Sequence, residues 1–403
     1  MSIFVSILGL GFLILIHEAG HFFVARLAGM NPRKFYLGFP PALAKTKRNG
    51  IEYGIGAIPL GGYVKIPGMH RPAAGDVDVH FGRAVEEEPS LRRPVEDLRR
   101  ELEDSDYRGA RDAVARLAAK IDEAHVSPVA LKTAERGLVD VDDALAPDAY
   151  WRAKTWKRVA VIFAGPAANL LLAMVLFAAL FLAVSGSYRF GFALRATDNA
   201  VTATVDEVLE GTPAQAVGMR SGDRIVAIGG RKVAPGEIAS RIRASEGRPL
   251  VLTVQRGGER VRLRPAPAEK TESLGVGESV WQAVRVTGLV TKEIGASVGR
   301  LVTGDGRDEI SSPIGIVQGS SEAVEQGGDD YLWVLGLISL SLALLNLLPL
   351  LPLDGGHIAF SLLEGIRGRA VAREVYERVS VVGIAVVLLL FFIGLSNDIG
   401  RLS

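Results

Sequence analysis

The chain has 403 residues, enough for two or three domains, and a formal net charge of +1, which argues against a nucleic-acid role based on bulk charge. It has no cysteine, so disulfide bonds and thiolate metal sites are excluded, and any metal must be held by His, Asp or Glu. Hydrophobic residues make up 48% of the chain and concentrate in a few blocks, which favours a membrane protein over a soluble one.

The first apolar block, residues 3–28, contains an H-E-x-x-H motif that begins at His17. Side chains four residues apart lie on one face of a helix, so His17 and His21 can both aim a ring nitrogen at one metal ion. Glu18 points roughly 100° around the helix, beside the metal. This is the zinc hydrolase pattern, with the glutamate as general base for a metal-bound water. The alternative is a soluble, buried helix whose histidines are only hydrogen-bonded.

Three further blocks have the length and composition of membrane spans: residues 159–184, 331–353 and 379–395. The first block lacks a basic leader and carries the motif, so we keep it as part of the mature protein rather than as a signal peptide. Basic residues flank the first, second and third spans: Arg33, Lys34, Lys45, Lys47, Arg48, Arg152, Lys154, Lys157, Arg158, Arg367, Arg369 and Arg373. The positive-inside rule places them in the cytoplasm, so both chain ends and residues 185–330 are expected outside.

Residues 31–68 are rich in Gly, Pro and aromatics, which predicts β-hairpins that dip into the membrane beside the motif. An open sheet edge there could pair with an extended substrate, with Gly61 and Gly62 among the residues that hold it. An ordinary cytoplasmic hairpin is the alternative. Residues 69–150 are charged and carry an amphipathic stripe, which predicts a cytoplasmic helical insert. Its histidines lack metal-ligand spacing and are expected to be solvated: His70, His80 and His125.

Residues 195–268 predict a compact α+β domain. The expected elements are a strand at 202–208, a helix near 236–245 and strands near 250–255 and 260–263. A G-x-x-x-G-D-x-I run that begins at Gly218 resembles that of a PDZ domain, whose groove adds a peptide as an extra strand. A generic small β-domain is the alternative. Residues 275–330 predict an amphipathic helix on the membrane surface followed by a connector.

A catalytic zinc usually has three protein ligands, so a third must join the two histidines. Asp354 is expected to end the third span, residues 331–357, next to two glycines and after two prolines that open the backbone. The first and third spans both run inward, so these groups can meet at similar depth. The alternative for Asp354 is a helix-terminus turn residue. Asn169 and Asn346 are candidates either to hold helices together or to hydrogen-bond a substrate backbone and an oxyanion.

The motifs in these spans together resemble the site-2 protease family of intramembrane zinc metalloproteases, and most closely its bacterial, single-PDZ, anti-sigma-factor-cleaving type. The residues that carry the resemblance are His17, Glu18, His21, Gly165, Asn169, Asn346, Asp354 and His357. The resemblance implies Zn²⁺ held by His17, His21 and Asp354, and a water activated by Glu18. It also implies substrates that are single-span membrane proteins already cut outside the membrane, such as anti-sigma factors or signal-peptide remnants. His357 is expected to have a structural role near the site or to support a metal ligand without binding the metal itself.

The expected fold is an α-helical polytopic membrane protein with four spans, a membrane-associated β-hairpin region and an inserted extracytoplasmic PDZ-like α+β domain. In chain order the regions are the zinc-motif span (1–30), the hairpin region (31–68), the cytoplasmic helical insert (69–150), the second span (151–186), the PDZ-like domain (195–268), the amphipathic helix and connector (275–330), the third span with the Asp ligand (331–357), and a cytoplasmic loop with the fourth span (358–403).

The expected location is the inner, cytoplasmic membrane of the cell. The expected partners are the lipid bilayer, a single-span substrate, and a peptide or C-terminus at the PDZ-like domain, with no nucleic acid. A membrane scaffold with PDZ-like peptide binding and a structural zinc site is an alternative function. A transporter that uses buried polar residues as an ion path is another.

Overall fold

The computed structural model describes residues 1–184, 188–197, 200–270, 274–303, 306–307, 310–371 and 373–402. The chain first forms α1 (Ser2–Leu27), β1 (Lys34–Arg48), β2 (Ile51–Lys65), α2 (Ala74–Glu87), α3 (Arg92–Glu103), α4 (Tyr107–Glu123), α5 (Pro128–Leu145) and α6 (Thr155–Val184). It continues with β3 (Tyr188–Arg189), β4 (Phe192–Thr197), β5 (Ala200–Val208), α7 (Pro213–Ala216), β6 (Arg224–Ile228), β7 (Arg231–Lys232), α8 (Ile238–Arg243), β8 (Leu252–Arg256), β9 (Glu259–Arg262), β10 (Glu269–Lys270), α9 (Val276–Thr303), α10 (Pro313–Gln326), α11 (Gly328–Asn346), α12 (Asp354–Arg367) and α13 (Arg373–Leu402).

Within these residues, four helices are long and apolar enough to cross a membrane: α1, α6, α11 and the stretch Glu374–Gly400 of α13. These four candidate spans match the four predicted ones in number and order. The first two have nearly the predicted ends, and the fourth is longer than the predicted 379–395. The structure is therefore mostly helical, with four candidate membrane spans and some sheet.

The third span departs from the prediction at its end. The expectation that Asp354 ends the span within residues 331–357 is wrong, because α11 stops at Asn346 and Asp354 is the first residue of α12. Pro349 and Pro352 explain the break: proline has no amide hydrogen, and it disfavours helical backbone in the residue before it. A short irregular loop therefore separates the span from the carboxylate.

The chain divides into two compact units. The motif unit comprises Leu10–Leu170 and Leu342–Leu389, and the β-rich unit comprises Met1–Gly9, Leu171–Ser341 and Leu390–Ser403.

In the motif unit, β1 and β2 form an antiparallel sheet in which the start of β1 has two neighbours. Lys34 pairs with both Glu52 and Lys65, and Leu37 pairs with Gly62. The start of β1 therefore lies between two parts of β2. The end of β2, residues 62–65, is paired on one side only among the described strands, which makes it an edge of the sheet.

Helices α2 to α5 of the motif unit pack around a core of their own. The core residues include Val77, Phe81, Leu91, Leu98, Leu117 and Ile121. Ion pairs tie α5 to the hairpin, since Asp143 lies 2.8 Å from Nε of Arg33 and 3.0 Å from Nζ of Lys65. The amphipathic stripe thus correctly predicts helix here, and the helices are fixed to the end of β2.

In the β-rich unit, a six-stranded antiparallel sheet has the path β4-β5-β6-β8-β9, with β7 paired to β6, and β3 and β10 form a separate two-stranded sheet. The helix predicted at 236–245 is shorter and covers Ile238–Arg243, after one turn of 3₁₀-helix. Its Ile238 and Ile242 are buried in the core of this domain. Asp223 is also buried, and it pairs with Arg256 at 2.7 Å.

The connector between α9 and α11 contains a helix, α10, that sequence patterns did not predict. Ser312 precedes its first residue, and the carboxylate of Asp398 on α13 accepts hydrogen bonds from the amides of Ser312 and Gly315. A carboxylate is favourable at a helix N-terminus, because it satisfies amides that have no partner within the helix.

Candidate metal centre

His17 and His21 lie one turn apart on α1, and both imidazoles are buried. Their Nε2 atoms are 3.2 Å apart. Oδ2 of Asp354, on the first residue of α12, lies 3.1 Å from Nε2 of His17 and 3.4 Å from Nε2 of His21. The structure thus brings together three possible metal-ligand atoms from two segments that are distant in sequence.

The spacing of these atoms fits a zinc ion. Ligands that sit about 2.0–2.1 Å from a tetrahedral zinc are about 3.3 Å from each other, and the three separations are 3.1, 3.2 and 3.4 Å. Nδ1 of His21 donates to the carbonyl oxygen of Val161 at 2.8 Å, so in the neutral ring Nε2 carries the free lone pair that a metal needs. Among the described residues no fourth His or acidic side chain joins the group, whereas a structural zinc site would normally have four ligands.

Glu18, the residue after His17, packs against the edge of the hairpin sheet. A Cβ added to Gly62 would come 2.8 Å from Cγ of Glu18 and 2.8 Å from the carbonyl oxygen of Tyr36. The main chain of Val64 lies beside the Glu18 carboxylate. The unpaired edge of β2 therefore passes directly alongside the glutamate that follows the first histidine.

Two glycines let α1 and α6 approach closely at the site. A Cβ on Gly20 would overlap the carbonyl of Ala164, and a Cβ on Gly165 would overlap the imidazole of His21. Small residues allow such close helix contacts in membranes. The Gly-Pro pattern at 165 pointed to this region of α6, but it did not reveal that Gly165 sets the position of a candidate ligand.

Comparison with known proteins places this arrangement in a family. Residues 5–390 match the model of peptidase family M50. The chain belongs to this family. It is also 30% identical to zinc metalloprotease RasP of Geobacillus kaustophilus, over 99% of this chain and 98% of RasP. Zinc metalloprotease Rip1 of Mycobacterium tuberculosis is 30% identical over 88% of this chain and 83% of Rip1. The chain is therefore a zinc metalloprotease, and the resemblance to site-2 proteases is confirmed.

In this M50 protein the loop between α11 and α12 folds back onto the start of α12. A Cβ on Gly355 would overlap the carbonyls of Leu347 and Leu348, and one on Gly383 of α13 would overlap the carbonyl of Leu351. Gly355, directly after Asp354, is thus required by close backbone contacts. These contacts hold the first turn of α12, and with it Asp354, against the loop.

The predicted substrate-binding residues occupy different environments. Asn346 donates from Nδ2 to the carbonyl of Leu342 on its own helix at 2.9 Å. Asn169 is completely buried on α6. A Cβ on Gly61 would come 2.6 Å from the ring of Phe39, so Gly61 packs within the hairpin sheet. Of the two glycines, Gly62 is the one that contacts Glu18.

His357 lies one turn after Asp354 on α12 but does not join the ligand group. Its Nδ1 is 2.9 Å from the hydroxyl of Tyr376. The ring of His70 packs edge-on against the same tyrosine, with 4.6 Å between ring centroids. His70 is exposed, as predicted, and is part of a contact that sequence spacing did not indicate.

Proposed function

We propose that this M50 protein is an intramembrane protease that hydrolyses a peptide bond within or near the transmembrane segment of single-span membrane proteins. The observation that carries the proposal is the convergence of two imidazoles on α1, a helix with the composition of a membrane span, with the carboxylate of Asp354 at the start of α12. Ionisable groups are energetically costly in a membrane-spanning segment, so their presence there indicates a function.

In the proposed mechanism, zinc is held by His17, His21 and Asp354. When bound, zinc supplies Lewis acidity that lowers the pKa of water and polarises a carbonyl group. Glu18 removes the proton from the attacking water and passes it to the leaving nitrogen, as a general base and then a general acid. Val161 keeps the ring of His21 in the tautomer that offers Nε2.

The substrate is proposed to bind as an extended strand. A transmembrane helix hides its carbonyls in hydrogen bonds, so it must unwind before one of them can be attacked. The end of β2 has no second strand beside it among the described residues, and strand addition to this edge would present the scissile carbonyl near Glu18. Asn346 and Asn169 are proposed to bind the substrate backbone, and Gly61 and Gly62 to keep the edge free of side chains.

The domain formed by residues 188–270 is proposed to be PDZ-like and extracytoplasmic. In support, a cavity of about 650 Å³ lies beside β4, an edge strand of the sheet, and beside the helix α8. A PDZ domain takes up a peptide at such a sheet edge. The basic clusters that flank the spans support a cytoplasmic position for residues 69–150. In this arrangement the domain screens substrates already cut outside, such as anti-sigma factors or signal-peptide remnants.

The test is reconstitution of the full chain in proteoliposomes with a model single-span substrate, with products identified by mass spectrometry and zinc measured in the same samples. Glu18→Gln should keep zinc and lose cleavage by about 10²–10⁴-fold. Glu86→Gln, which changes an exposed glutamate on α2, is the matched control and should behave as wild type. Cleavage by Glu18→Gln at the wild-type rate would contradict the proposed mechanism.

A further inference from the structure

A cavity of about 530 Å³ in the motif unit lies where two candidate spans begin. It is bordered by the segment after β2, by the start of α6 and by the turn between α12 and α13. The side chains that matter here are Arg71, Trp151, Arg158, Glu364, Arg369 and Tyr376. Because α6 and α13 are long enough to span a membrane, their first residues mark the level of a membrane surface. We call this space the arginine cavity.

The arginine cavity carries a surplus of positive charge. Arg158 and Glu364 form an ion pair at 2.6 Å, and their side chains are only 12% and 17% exposed. Glu364 also accepts a hydrogen bond from the amide of Val371. Arg71 and Arg369 are exposed and form no ion pair with the described residues. One carboxylate therefore faces three guanidinium groups, which leaves two positive charges uncompensated.

One donor in the wall lacks an acceptor among the described residues. Nε of Arg158 is buried and has no hydrogen-bond partner among the described residues. The guanidinium of Arg71 lies over the ring of Trp151, 4.9 Å from its centroid, and is thereby held at the cavity.

We propose that the arginine cavity binds the phosphate group of an anionic ligand. Guanidinium groups match phosphate oxygens in geometry and charge, and basic pockets between spans at a membrane surface take up lipid head groups. A phospholipid head group and a soluble phosphate ion share this chemistry. Neither zinc binding nor peptide hydrolysis uses the cavity, so the proposal is independent of the proposed catalytic mechanism.

The test compares the full-length wild type with Arg71→Gln/Arg369→Gln, which removes the two uncompensated charges. The matched control is Lys47→Gln/Arg48→Gln, which removes two exposed charges from hairpin residues that do not line the cavity. Lipid binding is measured by native mass spectrometry of detergent-purified protein titrated with phosphatidylglycerol or phosphatidylcholine. Binding of inorganic phosphate is measured by calorimetry without lipid. Zinc content reports whether each variant is folded. If the double variant loses zinc, the single variant Arg369→Gln is used in its place.

If the ligand is a lipid, wild type should bind phosphatidylglycerol more tightly than phosphatidylcholine. The arginine variant should then bind phosphatidylglycerol about tenfold or more weakly, whereas the control variant should bind it as wild type does. If the ligand is soluble phosphate, wild type should bind inorganic phosphate and the arginine variant should not. Both proteins should then bind phosphatidylglycerol equally. The proposal is overturned if the arginine variant equals wild type with both probes. It is equally overturned if the control variant loses as much affinity as the arginine variant, because bulk charge would then explain the binding.

Discussion

The imidazole of His21 occupies the space that a Cβ on Gly165 would need. Val161, one turn earlier on the same helix, accepts the hydrogen bond from Nδ1 of this imidazole. Helix α6 therefore fixes both the position and the tautomer of a candidate zinc ligand that belongs to α1. The two spans form one metal-binding framework, even though α6 contributes no ligand to it.

Gly165→Ala should lower zinc affinity by about tenfold or more, since groups that orient a metal ligand typically have effects of that size. The added methyl must displace the ring of His21 or separate α1 from α6. Zinc content of the purified protein after dialysis against a graded chelator measures the change. Gly11→Ala on α1 is the control, because a Cβ there meets nothing within 4 Å. Equal zinc retention by both variants would contradict this role of Gly165.

Gly62→Ala should keep zinc but reduce cleavage. Its Cβ would meet Glu18 and the carbonyl of Tyr36 at 2.8 Å, so either the carboxylate or the sheet edge must shift. Since a small misplacement at a catalytic site can cost about 10²-fold in rate, we expect a loss of roughly that order in kcat. Gly82→Ala on α2, where a Cβ meets nothing within 4 Å, is the control. Loss of zinc in Gly62→Ala would instead indicate a disturbed metal centre.

Much of the motif unit could be predicted because its signals are local. The i, i+4 spacing of His17 and His21 places them on one helix face, and the carboxylate of Asp354 was the ionisable group available at matching depth. The end of the third span was mispredicted, since apolar residues continue past Asn346 and the prolines beyond it override hydropathy. The contacts of Gly165 and Gly62 could not be predicted, because they depend on how separate elements pack rather than on any periodic pattern.

Asp143→Asn should destabilise the junction between α5 and the hairpin by about 1–3 kcal/mol, because it removes a buried carboxylate that forms ion pairs with two basic side chains. Asp143 is 10% exposed and lies within 3.0 Å of both Arg33 and Lys65. Hydrogen exchange of the amides in α5 and at the end of β2 measures the change. Asp142→Asn, at an exposed neighbouring position, is the control. Unchanged protection in Asp143→Asn would show that the ion pairs contribute nothing there.

The domain of residues 188–270 should lose stability in acid through Asp223. Burial opposes the charged form of this carboxyl, but hydrogen bonds from Arg256 and the amide of Arg220 hold its pKa below the usual value. A carboxyl whose pKa is lower in the folded state stabilises the folded domain at pH values above its unfolded pKa of about 3.9. That contribution is lost as the pH falls from there through the folded pKa.

The measurement is hydrogen exchange of β6 and β8 in wild type and Asp223→Asn, compared at each pH so that intrinsic exchange rates cancel. At pH 7 wild type should be more protected by about 1–3 kcal/mol, and the difference should shrink steadily below about pH 4. Asp206→Asn is the control, because Asp206 and its partner Arg195 are both more than half exposed and such pairs contribute little. A difference for Asp223→Asn that stays constant down to low pH would show that ionisation of this carboxyl is not what stabilises the domain.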